Sequence, residues 1–118
     1  MNIGEFAART GVSADTLRYY EKVGVLRQIT RDASGHRVFG ERDLDWIAFV
    51  LRLKATAMPL ADIRRYAQLR AEGVATLVER RRMLERHAQH LEDKLARDRD
   101  HLAAIRAKIA YYEQQDPA

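Results

Sequence analysis

Residues 13–22 read Ser-Ala-Asp-Thr-Leu-Arg-Tyr-Tyr-Glu-Lys, and this stretch decides how the rest of the chain is read. Ser13 can cap a first helical turn with its hydroxyl, Asp15 suits the positive end of the helix dipole, and Val12 and Leu17 supply one short apolar edge. The remaining side chains face outward. Thr16, Arg18, one or both of Tyr19 and Tyr20, and Lys22 offer hydrogen-bond donors, cations and flat rings on a helix barely three turns long. Short polar and cationic side chains of this kind meet phosphates and base edges in a DNA major groove.

The residues upstream give this helix a partner. Asn2 followed by Glu5 reads as a capping box, and Ile3, Phe6 and Ala7 share one helical face that runs to about Arg9. Gly11 suits a left-handed C-terminal position, and Ser13 restarts the helix almost at once. Two helices joined by so short a turn cross steeply, which is a helix-turn-helix pattern.

Downstream, Gly24 ends the second helix and Val25 and Leu26 return the chain to the core. The helical period then disappears between Arg27 and Phe39. Ile29, Thr30, Val38 and Phe39 favour strands, with Asp32-Ala33-Ser34-Gly35 as the turn between them. The hairpin carries Arg27, Arg31, His36 and Arg37, so a cationic wing follows the reading helix.

Helical spacing resumes at residues 41–55, with Leu44, Ile47, Ala48, Leu51 and Ala55 on one face and Trp46, Phe49, Val50 and Leu53 widening it. Pro59 opens a further helix striped by Ile63, Tyr66, Ala67 and Leu69, closed by Gly73. Lys54, Arg64 and Arg65 are candidates for phosphate contacts beside the wing, or ordinary surface charges.

Thr76 and Glu79 form a capping-box pattern, and neither Gly nor Pro follows until Pro117. Leu84, Ala88, Leu91, Leu95, Asp98, Leu102, Ile105, Ile109 and Tyr112 step by four and three, a heptad seam interrupted by Asp98. A helix over 76–112 would be about 55 Å long. Such a rod needs a partner for its seam, most economically a second copy of itself. Asp98 reads either as a register device, met by Arg97, Arg99 or a partner's arginine, or as a point where the seam opens to water.

Composition narrows the function. Residues 1–70 carry 12 Lys and Arg against 8 Asp and Glu, and the remainder 9 against 9, so the net charge of +4 sits wholly in the front part. A basic front with a neutral back fits a nucleic-acid-binding head on a dimerising body. The chain of 118 residues has no cysteine, which removes disulfides, thiolate metal ligands and a cysteine nucleophile. No apolar run approaches a membrane span and no signal peptide leads the chain, so a cytoplasmic protein is expected. No Gly-rich phosphate loop or spaced carboxylate pair suggests an enzyme. A coiled-coil module whose head binds protein is the competing class, and the basic wing argues against it. His87 and His90 lie at i and i+3 without a carboxylate to complete a metal site.

These residues together resemble the MerR family of bacterial transcription regulators. The likeness is carried by Ile3-Gly4-Glu5, Gly11-Val12-Ser13, the string Thr16-Leu17-Arg18-Tyr19-Tyr20-Glu21, Gly24-Val25-Leu26 and Ser34-Gly35-His36-Arg37-Val38-Phe39. Asp43-Leu44, Leu60 and Ile63 continue it. The resemblance implies a mostly α fold, with a winged helix-turn-helix head of four helices and a β-hairpin over residues 1–70. A linker over 71–75, an antiparallel coiled-coil dimerisation helix over 76–112 and a tail over 113–118 complete it. It also implies a homodimer on a palindromic promoter that distorts the spacer DNA so that RNA polymerase can use it.

Carried onto this sequence, Thr16, Arg18 and Tyr19 would sit at the groove or backbone, Tyr20 would be shared between core and phosphate, and Arg37 would reach from the wing. The full DNA-binding expectation is Ser13, Thr16, Arg18, Tyr19, Tyr20, Lys22, Arg31, His36, Arg37 and Lys54. The dimerisation expectation is Leu84, Ala88, Leu91, Leu95, Leu102, Ile105, Ile109 and Tyr112. The chain departs from the pattern at His36 and Phe39, where tyrosines are common, and at Pro59, which replaces a frequent capping serine. Metal-sensing members use cysteines at the dimer helix and drug-binding members a large C-terminal domain; this sequence has neither. No cofactor is expected, and an effector, if there is one, would bind among the heads and the coil.

Overall fold

In the computed structural model, which describes residues 1–116, local signals set the first two helices. Helix α1 (Ile3–Thr10) is closed at its start by the reciprocal Asn2–Glu5 capping box and at its end by Gly11, whose φ of 73° lets its N–H reach the Ala7 carbonyl. Helix α2 (Ala14–Val23) starts on the Ser13 side chain and stops at Gly24, with φ 87°. A side chain at Gly24 would strain that left-handed backbone. Phe6 and Leu17 are buried between these helices.

The wing is short. Strands β1 (Thr30–Arg31) and β2 (Arg37–Val38) pair antiparallel, Thr30 opposite Val38 and Arg31 opposite Arg37. Asp32 organises the tip, its Oδ1 accepting the backbone N–H groups of Ser34 and His36. Ile29, expected in a strand, precedes the ladder. Phe39 ties the wing to the core: its ring stacks on Phe6 with centroids 4.2 Å apart, and its N–H and carbonyl bond to the Met1 carbonyl and amino group.

Helices α3 (Glu41–Ala55) and α4 (Leu60–Glu72) complete the core. Asp43 caps α3 by accepting the Gly40 N–H at 2.9 Å. The buried face of α3 is Trp46, Ile47, Val50 and Leu53, while Ala48 and Ala55 are exposed and Leu44 and Leu51 half-buried. Of the expected stripe only Ile47 is buried, and the core face is formed with it by Trp46, Val50 and Leu53, which were expected only to widen that stripe. The aromatic residues decide the phase, because Trp46 stacks on Tyr66 at 5.8 Å and donates its indole N–H to the Val25 carbonyl at 2.8 Å. Arg70 lies over the Trp46 ring at 4.6 Å. Burial first, and then the neighbouring Arg42 cation, hold the Arg70 guanidinium below its ordinary pKa.

A 3-10 turn (Val74–Thr76) leads into helix α5 (Leu77–Gln115). Thr76 does not form the expected capping box. Its buried hydroxyl turns back to the Leu69 and Gly73 carbonyls and accepts from Arg80, while Glu79 pairs with Arg65 at 2.9 Å. The chain divides into compact units Met1–Met83 and Leu84–Ala118, so the first unit takes in the expected linker and the opening turns of α5. The helix also continues through residues 113–115, expected as tail; Pro117 and Ala118 lie outside the described residues. Along the second unit Leu95, Leu102, Ile105, Ile109 and Tyr112 are each about half exposed or more, and Leu84 and Leu91 half-buried.

Candidate nucleic-acid interface

The outward face of α2 and the wing come together through one carboxylate. Glu21 Oε1 accepts from Arg31 Nη2 at 3.1 Å and from Arg37 Nε at 3.0 Å, with Arg37 Nη2 also 3.0 Å away. Arg31 reaches further, donating through Nη1 to the Gly35 carbonyl at the wing tip. The wing arginines are thus oriented against α2. Arg18, Arg31, His36 and Arg37 line one open groove of about 760 Å³ beside the start of α1. Four cationic or protonatable side chains on one concave surface suit a polyanion.

Arg18 is exposed and paired with Asp15 at 2.9 Å. An exposed pair of this kind is weak and exchanges readily for a phosphate or a base edge. His36 is exposed at the wing tip, 3.8 Å from Asp32. Tyr19 stands 47% exposed on the same helix, and Lys22 is exposed with no hydrogen bond or ion pair among the described residues.

Other expected site residues are placed differently. Tyr20 is buried in the core, with its hydroxyl receiving a 2.7 Å bond from Lys54 Nζ; the ammonium also lies 5.3 Å from the ring centroid. Tyr20 and Lys54 therefore form a unit of their own outside the groove. Ser13 accepts the Thr16 N–H at 3.1 Å and donates to Thr16 Oγ1 at 2.9 Å, so its hydroxyl is committed to the cap.

Glu21 was not among the expected site residues. The signal was present in its position three residues after Arg18 and ahead of two wing arginines, but a hairpin's docking partner is invisible to local periodicity. Arg64 was likewise open to a phosphate role; its Nε donates to the Val23 carbonyl at 2.7 Å, a cation on the C-terminal end of α2. Among the described residues no three His, Asp or Glu converge as a metal site, and no helix is long and apolar enough to cross a membrane.

Comparison with known proteins decides what this surface belongs to. Residues 1–70 match the MerR HTH family of regulatory proteins, and residues 44–107 the MerR DNA-binding family. The chain belongs to the MerR family. A Haemophilus influenzae HTH-type transcriptional regulator is 35% identical over 108 residues, 92% of this chain and 80% of that one. A crystal structure of a MerR family regulator from Listeria monocytogenes matches with a TM-score of 0.87 and 34% identity, covering 96% of this chain and 86% of that one. The crystal structure of HiNmlR, described as a MerR family regulator lacking the sensor domain and bound to promoter DNA, matches with a TM-score of 0.83 and 34% identity over 96% of this chain and 90% of that one. As a MerR-family chain the protein is a DNA-binding transcription regulator and not an enzyme. Its mostly helical winged fold agrees with the expectation from sequence.

Proposed function

We propose that this MerR-family regulator works as a homodimer that places its two heads on a palindromic promoter and distorts the spacer between promoter elements, so that RNA polymerase can use it. The observation that carries the reading is the pair of wing arginines locked by Glu21 beside the exposed face of α2. Arg18 and Tyr19 read the groove, Thr16 and Lys22 support them, and Arg31, His36 and Arg37 hold the backbone from the wing. Tyr20 contributes through Lys54, whose ammonium its hydroxyl orients. Ser13 acts by setting the start of α2.

Dimerisation falls to the exposed seam of α5, with Leu84, Ala88, Leu91, Leu95, Leu102, Ile105, Ile109 and Tyr112 as its contacts. An apolar stripe of that length on a charged helix is stable in water only when covered. The setting is the bacterial cytoplasm, on nucleoid DNA.

Titration of DNA fragments selected from the source genome tests this reading. Salt-sensitive binding with a clear preference over random DNA is expected; equal affinity for random DNA would overturn it. Leu95→Glu should convert the protein to a monomer in sedimentation, and a persistent dimer would show that another surface joins the copies.

A further inference from the structure

The C-terminal end of α2 carries a second cationic surface, separate from the groove beside the wing. Arg27, Arg64, Arg65 and Gln68 line a cleft of about 230 Å³ backed by Val23, Gly24 and Ala61, and no carboxylate lines it. Ala61, Arg64, Arg65 and Gln68 stand at i, i+3, i+4 and i+7 of α4, so helical spacing turns them to one side. Arg27 comes to them from the chain after α2. It folds back over Gly24, where an added Cβ would lie 3.3 Å from Arg27 Nη1.

Most of these donors are uncommitted. Arg64 spends Nε on the Val23 carbonyl at 2.7 Å, which fixes its guanidinium at the cleft and leaves its terminal nitrogens to donate elsewhere. Gln68 Oε1 accepts from Arg65 Nη1 at 3.4 Å, so the Gln68 amide N–H groups remain. Arg27 is exposed, with no hydrogen bond or ion pair among the described residues. Three guanidinium forks and an amide around one concavity match the charge and the several acceptor oxygens of a tetrahedral dianion better than those of a monoanion. The volume lies below the roughly 300–1,000 Å³ of sites for drug-sized ligands, so the occupant is compact.

We propose that this cleft binds a compact phosphate dianion, free or as a small monoester, and that the anion draws Arg65 away from Glu79. The duplex is the poorer occupant. Ser13, Thr16 and Arg18 belong to the cap and opening turns of α2, whereas the cleft lies at the other end of a helix about 15 Å long. No residue lines both the cleft and the groove beside the wing.

Arg65 gives the cleft a connection to the next element. Its Nη2 pairs with Glu79 Oε1 at 2.9 Å, tying α4 to the first turn of α5. Both side chains are about half exposed, so the pair is weak and yields to a stronger anion. A dianion in the cleft and the Glu79 carboxylate compete for one guanidinium. By linkage, whatever removes Glu79 tightens the anion, and the anion in turn releases the start of α5 from α4.

Inorganic phosphate, titrated into the full chain in chloride buffer of constant ionic strength and followed by calorimetry, tests the proposal. Saturable binding at one site per chain is expected, with acetate a poor competitor. Glycerol phosphate, titrated in the same way, distinguishes the sources: tighter binding than inorganic phosphate assigns the dianion to a monoester, weaker binding to the free ion. Arg27→Gln should weaken phosphate several-fold. Glu79→Gln should tighten it several-fold, while Glu113→Gln, an equal change of net charge near the C-terminal end of α5, should leave it unchanged. Binding that never saturates, acetate that competes as well as phosphate, or the same tightening from both glutamate variants would overturn the site. So would an Arg27→Gln chain whose affinity for selected DNA, measured without phosphate, fell as far as its affinity for phosphate, because the cleft would then belong to the duplex backbone. A failed phosphate titration leaves the homodimer reading above intact.

Discussion

Arg37 and Glu21 meet with Nε 3.0 Å from Oε1 across 16 residues of sequence, joining the wing to the reading helix at a point that is mostly shielded from water. This pair, shared with Arg31, makes α2 and the wing one surface rather than two. The guanidinium edge not bound to the carboxylate remains available to a phosphate oxygen.

Replacing Glu21 separates positioning from charge. Glu21→Ala removes a negative charge near DNA, so binding to random DNA should strengthen or stay level, while affinity for selected DNA should fall by about 1–2 kcal/mol as the arginines lose their orientation. Glu21→Gln keeps an acceptor and should recover part of the loss. Parallel gel-shift titrations on the two DNAs check this; equal changes on both would show that Glu21 does not orient the wing.

Arg18→Ala should weaken binding to selected DNA by about 1–3 kcal/mol and relax preference at one base position. Lys54→Met should instead weaken selected and random DNA alike and lower the salt slope by about one. Selection from a random library, repeated for each variant, distinguishes the two. An unchanged preference with Arg18→Ala would remove its assignment to a base.

Phe6 is fully buried and stacked on Phe39, which makes it the anchor between α1 and the wing. Phe6→Ala should cost about 3–5 kcal/mol, the usual range for emptying an aromatic site. Urea unfolding checks the value, and a loss under 1 kcal/mol would mean that the site collapses around the cavity or that the stack contributes little.

Ser13→Ala should cost about 1 kcal/mol of stability, because the Thr16 N–H then loses its acceptor. Ser13→Asp keeps an acceptor and suits the helix dipole, so it should restore stability while adding a negative charge beside the DNA face. A Ser13→Asp variant that remained as unstable as Ser13→Ala in denaturant unfolding would argue against the cap.

Much of the head was legible because its boundaries are made by local chemistry. Asn2 with Glu5, Ser13, Gly11 and Gly24 all do in the structure what their types suggest. The phase of α3 was not, since Leu44, Ile47, Ala48 and Leu51 form as regular a stripe as Trp46, Val50 and Leu53. Only the long-range contacts of Trp46 with Val25 and Tyr66 choose between them. Thr76 was misread for a similar reason: the Leu69 carbonyl takes the hydroxyl that the capping pattern assigns to Glu79. Gln28 at φ 57° and Ala57 at φ 66° adopt left-handed backbone that no Gly announces. In the candidate site the cationic residues were legible by type, but which carboxylate gathers them depended on how the hairpin folds over α2.

Hydroxyl-radical footprinting on a selected DNA fragment tests the central claim most directly. A pair of winged heads held by one coil should protect two segments related by a two-fold axis, their centres separated by a whole number of helical turns of roughly 10 base pairs each. Protection of a single unpaired segment, or the same pattern from a Leu95→Glu monomer, would contradict the account.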